Sequence, residues 1–289
     1  MAIGILGGSG LYQIDGITDV EWRHVWSPFG EPSDELCFGK LAGSDVVFLP
    51  RHGRGHKLPP SEINFRANID ALKRSGVTDL ISLSAVGSLN IDLPPGTFLL
   101  VDQFIDCTFA RQKSFFGKGC VAHVSMAHPV CHRLGEHLAH GAEAAGFSVK
   151  RGGTYVVIEG PQFSTLAESN LYREQWRCDV IGMTNMPEAK LAREAEICYA
   201  TVAMVTDYDC WHPDHDHVTV EMVLKVLFQN ADKAKALVKA TVPLAARDDD
   251  CSQGCRHALD NAIITPAEFR DPVILAKLDA IAERVLDKD

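Results

Sequence analysis

The sequence predicts an α/β fold: a mixed, twisted sheet flanked by helices, forming a single domain over 1–289. Three observations predict it. Short apolar runs alternate along the chain with stretches of helical periodicity, the pattern of a sheet covered on both faces. Glycine-rich or charged residues follow the apolar runs at six places, as they do at strand tips in open sheets. No linker, repeat or low-complexity segment interrupts this order, and an apolar fraction of 46% with 23% charge suits one folded body.

The elements follow in order. The run at 3–6 reads as a strand and ends in Gly7-Gly8-Ser9-Gly10. A second strand, 45–49, ends in Pro50-Arg51-His52-Gly53. Phe65, Ile69 and Leu72 recur at helical spacing, so 64–75 is a helix. Strands are predicted at 79–85 and 97–105, and a helix at 128–145. The strand at 154–158 ends in Glu159-Gly160-Pro161, and 166–176 reads as a helix. A short strand, 180–183, precedes a helix at 187–195, with Pro187 in its first turn. The run at 197–206 is long and apolar, a buried strand. Val220, Val223, Leu224 and Leu227 mark a helix at 218–240. A loop at 246–265, carrying Asp248-Asp249-Asp250, leads to a final helix at 266–286.

Charge limits the partners. A net charge of −10 argues against nucleic acid, whose binders present a basic face. The N-terminus reads as a strand and has no basic region of a signal peptide. No apolar stretch reaches membrane-spanning length. A cytoplasmic location is the default. The nine cysteines are odd in number and dispersed, which suggests reduced thiols more than a disulfide framework. Only Cys251 and Cys255 are close enough in sequence to bridge. They fall in a polar loop, and no structural role is expected of them.

The most informative tip is Thr206-Asp207-Tyr208-Asp209-Cys210-Trp211. In extended chain, residues i and i+2 point to one side. If that geometry persists, Asp207 and Asp209 face one pocket. Carboxylates at the end of a buried strand are costly unless something binds them. A metal, a sugar or a nitrogenous base would each serve.

Arg51-His52-Gly53-Arg54-Gly55-His56 is the basic focus of an acidic chain. A guanidinium fork suits phosphate. Gly7-Gly8-Ser9-Gly10 is either a tight turn or an anion nest, and it matches neither dinucleotide nor P-loop fingerprints. Ser84-Ala85-Val86-Gly87-Ser88 and Thr184 add hydroxyls and amides at other tips. His212-Pro213-Asp214-His215-Asp216-His217 has the composition of a metal site, but its ligands are contiguous, so a polar surface loop is expected and no metal. Cys210 has no basic partner and is not expected to act as a nucleophile.

Together these motifs resemble, in type and order, those of the trimeric purine nucleoside phosphorylases, on the branch that takes methylthioadenosine. The resemblance spans residue 3 to about 245 and rests on Gly7–Gly10, Arg51–Gly53, Ser84–Ser88, Glu159–Pro161, Gly182–Thr184 and Thr206–Trp211. It implies a homotrimer acting on a small nucleoside, with inorganic phosphate as co-substrate and no metal or organic cofactor. The implied reaction is phosphorolysis of S-methyl-5′-thioadenosine to adenine and 5-methylthio-D-ribose 1-phosphate, in purine and methionine salvage. The resemblance assigns phosphate to Ser9, Arg51, His52, Ser84, Ala85 and Thr184, and the nucleoside to Met183, Asp207, Tyr208 and Asp209. Ser164 and Val220 match positions tied to substrate choice. The family often has Thr where this chain has Ser9 and Ser84, and both keep the hydroxyl.

Chemistry fits that assignment. Two neighbouring carboxylates cannot both ionise cheaply, so one stays protonated to higher pH. Asp207 is expected as the general acid for purine departure, with Asp209 accepting from a 6-amino group. A 6-oxopurine nucleoside or methylthioinosine is the alternative substrate. A hydrolase using water, or a nucleotide-binding protein without catalysis, is the alternative class.

Overall fold

A computed structural model describes residues 1–8, 14–213, 220–247 and 251–286; of the side chains at 220, 222–225 and 227 nothing is described. Among the described residues eleven strands form one sheet: β1 (Ala2–Gly7), β2 (Ile17–Arg23), β3 (Leu36–Leu41), β4 (Ser44–Pro50), β5 (Val77–Ser88), β6 (Phe98–Leu100), β7 (Gln103–Asp106), β8 (Lys150–Arg151), β9 (Thr154–Val157), β10 (Val180–Gly182) and β11 (Cys198–Asp207). The helices are α1 (Phe65–Arg74), α2 (His132–Ala144), α3 (Leu166–Asn170), α4 (Asn185–Glu194), α5 (Val220–Ala245), α6 (Pro272–Lys277) and α7 (Asp279–Leu286). The predicted mixed α/β class is the observed one.

The centre of the sheet is parallel and apolar. β1 lies between β4 and β5, and all ten residues of β11 are buried beside β5. Both faces of these strands are covered, which is why they lack polar alternation. One face packs on α1, α4 and α7 through Ile69, Leu72, Leu191 and Ile281, the other on α2 and α5 through Leu134, Leu138, Leu237 and Val238. Local signals set the helix ends. The Asn64 side chain accepts from the Ala67 N–H at the start of α1, and Gly76 takes φ 78° just beyond its end.

Several predicted elements are corrected. The 97–105 strand is two, β6 antiparallel to β11 and β7 parallel to β9, because the chain changes neighbours at Val101 and Asp102. β2 and β3 went unpredicted; β2 is a polar edge strand with four consecutive exposed residues, so it carries no alternation to read. The 166–176 helix narrows to α3 followed by a π-helical turn, Leu171–Gln175. The terminal helix is broken by Pro272, where Asp271 caps α6 by accepting from the Val273 N–H. Cys251 and Cys255 are not in a solvated loop: both are buried in the core with Cys131 and Cys198.

The long strand β5 creates the crevice. β11 runs along one of its edges from Asp79 to Gly87. On the other edge β1 pairs only as far as Ser82, and β10 joins antiparallel at Gly87 and Ser88. The sheet therefore forks, leaving Leu83 to Val86 with one edge unpaired by strand. Backbone groups there must find other partners.

Candidate active site

The fork holds a cavity of ≈ 220 Å³. That volume fits a small organic ligand rather than a macromolecule. The ends of β5, β10 and β11 form its walls, with the loops after β4 and β9. Of the residues singled out from sequence, His52, Ala85, Ser164, Met183, Thr184, Asp207 and Asp209 all line it. Residues separated by up to 157 positions thus meet at one place. Ser9 lies outside the described residues, as does the side chain of Val220 and the histidine-rich loop beyond Pro213.

Asp207 is the last residue of β11, and both aspartates reach the cavity. Extended geometry does not continue between them. Asp209 takes φ 50°, and its N–H donates to Asp207 Oδ1 at 2.8 Å, so the chain turns around the first carboxylate. The Thr206 hydroxyl donates to Asp207 Oδ2 at 2.7 Å. Gly87 makes room, since a Cβ there would stand 2.8 Å from Asp207 Oδ1. Burial pushes the Asp207 carboxyl above its ordinary pKa, and the Asp209 charge adds to the push. Burial also raises Asp209. These are carboxyls poised to hold a proton or to bind one borne by a ligand.

Hydroxyls gather at the ends of β5 and β10. Ser84 Oγ sits behind the lining, 2.9 Å from Thr184 Oγ1 and 3.2 Å from the Tyr155 hydroxyl. Ala85 and Thr184 face the cavity. Tyr208 does not line it; its ring stacks on His212 at 4.7 Å and meets Trp211 edge-on.

The basic focus differs from its sequence reading. The Arg51 guanidinium is 2% exposed and is not among the groups that line the cavity. Its Nε donates to Glu188 Oε2 at 2.7 Å, and Nη2 donates to Ser82 Oγ at 2.7 Å and to the Leu6 carbonyl. Nη1 donates to the Leu83 carbonyl at 3.0 Å, supplying the partner that the forked sheet withholds. The fork expected to clasp an anion also fastens β1, β4, β5 and α4 together. Arg54 points to solvent and pairs with Asp34 and Glu35. His52 donates from Nδ1 to the Leu58 carbonyl at 2.9 Å, leaving Nε2 as an acceptor. Burial pushes its pKa down to about 4, so the ring is neutral near pH 7. His56 stacks on it at 4.2 Å.

Other parts of the site were not legible. Glu159 accepts from the N–H groups of Phe109 and Ala110, from Arg111 Nε, and from the Ser61 hydroxyl. Arg111 Nη1 donates to the carbonyls of Met183 and Met186. This network holds the loop after β9 against the loop after β10. Glu159 was visible as a strand-tip residue, but nothing near Arg111 in sequence announces its partner. Phe163 adds an aromatic ring to the cavity, and Ser164 Oγ is buried without a hydrogen-bond partner. Cys210 is pushed up by burial and then by Asp209, consistent with its rejection as a nucleophile.

No metal was expected. Among the described residues one group of ligand atoms does converge: the sulfurs of Cys131, Cys198, Cys251 and Cys255, all within 4.8 Å of one another. Its only sequence signal is the Cys-x-x-x-Cys spacing, since the other two sulfurs come from distant segments.

Comparison with known proteins accords with this geometry. The family model described as the phosphorylase superfamily matches residues 2–243. The S-methyl-5′-thioadenosine phosphorylase of Rhodospirillum rubrum is 63% identical over 98% of this chain and 97% of its own. A crystal structure of methylthioadenosine phosphorylase from an antarctic soil metagenomic library superposes with a TM-score of 0.90, at 47% identity over 96% of this chain and 98% of that one. Methylthioadenosine phosphorylase from Schistosoma mansoni, solved in complex with adenine, is 34% identical over the whole of both chains, with a TM-score of 0.83. On the strength of a match across most of its length, the chain belongs to the phosphorylase superfamily.

Proposed function

We propose that this chain is a pentosyltransferase that cleaves S-methyl-5′-thioadenosine with inorganic phosphate, releasing adenine and 5-methylthio-D-ribose 1-phosphate. One observation carries the reading: two buried carboxyls with raised pKa share one cavity with the Thr184 hydroxyl and the neutral His52 ring. The close relatives named for this activity support it.

In the reaction, a phosphate oxygen attacks the anomeric carbon as the bond to purine N9 breaks. The electron pair leaves with the purine, and a proton on N7 makes that departure easier. Asp207 supplies or shares this proton, and Asp209 accepts from the 6-amino group. Phosphate rests against Ser9, His52, Ser84, Ala85 and Thr184, with Met183 beside the ribose. His52, held neutral, accepts a hydrogen bond from protonated phosphate through Nε2. Arg51 acts at one remove, by fixing the strand tips that carry these groups. Ser164 and Val220 tune substrate choice, and Tyr208 braces the loop after Asp207. Positioning phosphate beneath a cationic sugar supplies much of the rate.

The reaction as written uses no metal and no organic cofactor. We place the enzyme in the cytoplasm as a homotrimer, serving purine and methionine salvage; no described helix is long and apolar enough to cross a membrane. The test is turnover of methylthioadenosine, adenosine, inosine and methylthioinosine, each with and without phosphate. Phosphate-dependent turnover favouring methylthioadenosine is expected. Turnover indifferent to phosphate would make the chain a hydrolase and overturn the proposal, as would preference for the 6-oxopurines.

A further inference from the structure

Far from the cavity lies a second constellation that the phosphorolysis reaction does not use. Cys198 opens β11, Cys131 stands at the N-cap of α2, and Cys251 and Cys255 flank a turn beyond α5. All four are buried and free of disulfides. Their sulfurs lie within 4.8 Å of one another, with Cys131 Sγ and Cys251 Sγ 3.6 Å apart. A tetrahedral ion with metal–sulfur bonds of about 2.3 Å sets its four sulfurs ~3.8 Å apart. The cluster is close to that geometry. Four separate sulfurs brought mutually near is an arrangement that hydrophobic packing alone does not demand.

We propose that Cys131, Cys198, Cys251 and Cys255 form a closed structural site for one thiolate-preferring divalent cation, zinc by coordination chemistry. Soft thiolates in tetrahedral array select zinc over the hard cations that prefer oxygen. Loading replaces each S–H bond by a sulfur–metal bond and releases the thiol protons to water; no electrons change hands.

The surrounding charge suits such a centre. A divalent ion held by four thiolates carries a net charge of −2. Arg193 Nη1 donates to Cys255 Sγ at 3.5 Å. Arg133, two residues beyond Cys131, and Arg256, next to Cys255, both pair with Asp79, which lies opposite Cys198 in the β5–β11 register. These guanidinium groups place positive charge beside the −2 centre. The Arg133 side chain is nine-tenths buried, and its Nε and Nη1 have no hydrogen-bond partner. A thiolate-rich centre beside it would give those two donors acceptors.

Position makes the site structural rather than catalytic. Cys198 and Asp207 are the two ends of β11, nine residues apart. At ~3.3 Å per residue they stand roughly 30 Å from each other. The ion would instead pin the segment after α5 to the start of the central strand.

The experiment uses the full-length chain purified under reducing conditions and loaded with zinc chloride, then freed of excess metal by gel filtration. Elemental analysis should find one zinc per chain, falling at least tenfold in the Cys251→Ser/Cys255→Ser double variant. The wild-type chain loaded with cobalt(II) should show the intense visible bands of tetrahedral thiolate coordination, a reading that needs no variant to fold. Alkylation in denaturant without reductant, followed by intact mass, should add nine adducts after metal removal. Zinc far below one per chain, absence of the cobalt bands, or only five adducts, meaning that the cluster had oxidised to two disulfides, would each overturn the proposal. Phosphorolysis by the metal-loaded wild type does not bear on it, so the two proposals fail separately.

Discussion

The N–H of Asp209 donates to the Asp207 carboxylate at 2.8 Å, and both side chains face the same cavity. The two are therefore coupled through the backbone as well as through space. A proton on either changes what the other can accept from a bound base. On the proposed mechanism the pair is one device with two tasks, protonating the leaving group and recognising it.

Asp207→Asn should cut kcat/KM for methylthioadenosine by ~10²–10⁴-fold, the usual cost of losing a general acid. The wild-type carboxyl is raised by burial, so its acid form persists to higher pH than an ordinary aspartate. The wild-type advantage over the variant should then shrink as pH rises through that raised value. Its sign for stability is the same. A buried carboxyl with raised pKa favours the fold below its unfolded value and loses that contribution as pH climbs. The variant should accordingly unfold no more readily than wild type at pH 7, as urea titration would reveal.

Asp209→Asn replaces an acceptor by a group that can donate to a 6-oxo atom. Preference should move toward methylthioinosine, with discrimination between the two bases shrinking by up to ~10⁴-fold, the scale for a mismatched buried hydrogen-bonding site. Steady-state kinetics on both nucleosides gives the ratio. An unchanged ratio would remove Asp209 from base recognition.

Arg51 and Glu188 are both almost wholly buried. Arg51→Met or Glu188→Met alone should destabilise the protein by roughly 3–5 kcal/mol, because each leaves a buried charge unpaired. The double variant should cost less than either single one. Denaturant midpoints of the four proteins measure this cycle. If Arg51→Met kept full stability yet lost phosphate affinity, the guanidinium would be a direct ligand after all.

His52 is held neutral, with its pKa lowered from 6.5 to about 4. The unfolded chain binds the extra proton first as pH falls. Stability from this residue is therefore complete above pH 6.5 and is lost as pH drops toward 4, by up to about 3 kcal/mol. His52→Asn keeps a donor for the Leu58 carbonyl but cannot titrate. The stability difference between wild type and variant, measured across pH 4 to 7, should grow with pH and level off above 6.5.

The sequence made the parallel centre of the fold readable because strands buried on both faces are uninterrupted apolar runs; 197–206 is the clearest. It did not reveal β2, whose exposed polar residues look like loop, nor the split between β6 and β7, which depends on neighbours rather than composition. The site residues were readable as tips of strands: Asp207, Asp209, His52 and Thr184 do converge. Direction was not readable. What a guanidinium pairs with depends on a partner far off in the chain, so nothing near Arg51 in sequence announced Glu188. The cysteine cluster was hidden for the same reason, since Cys131 and Cys198 are near Cys251 and Cys255 only in space.

The Arg51–Glu188 pair joins residues 137 positions apart. During synthesis, Arg51 emerges long before the carboxylate that neutralises it. No N-terminal fragment ending before Glu188 can bury that guanidinium at acceptable cost. The fork in the sheet, and with it the cavity, therefore closes only once nearly two-thirds of the chain has been made. A split or circularly permuted version of this enzyme should tolerate a break outside that span far better than one that separates the two residues. The wiring beneath the floor thus sets how early in synthesis a working site can exist.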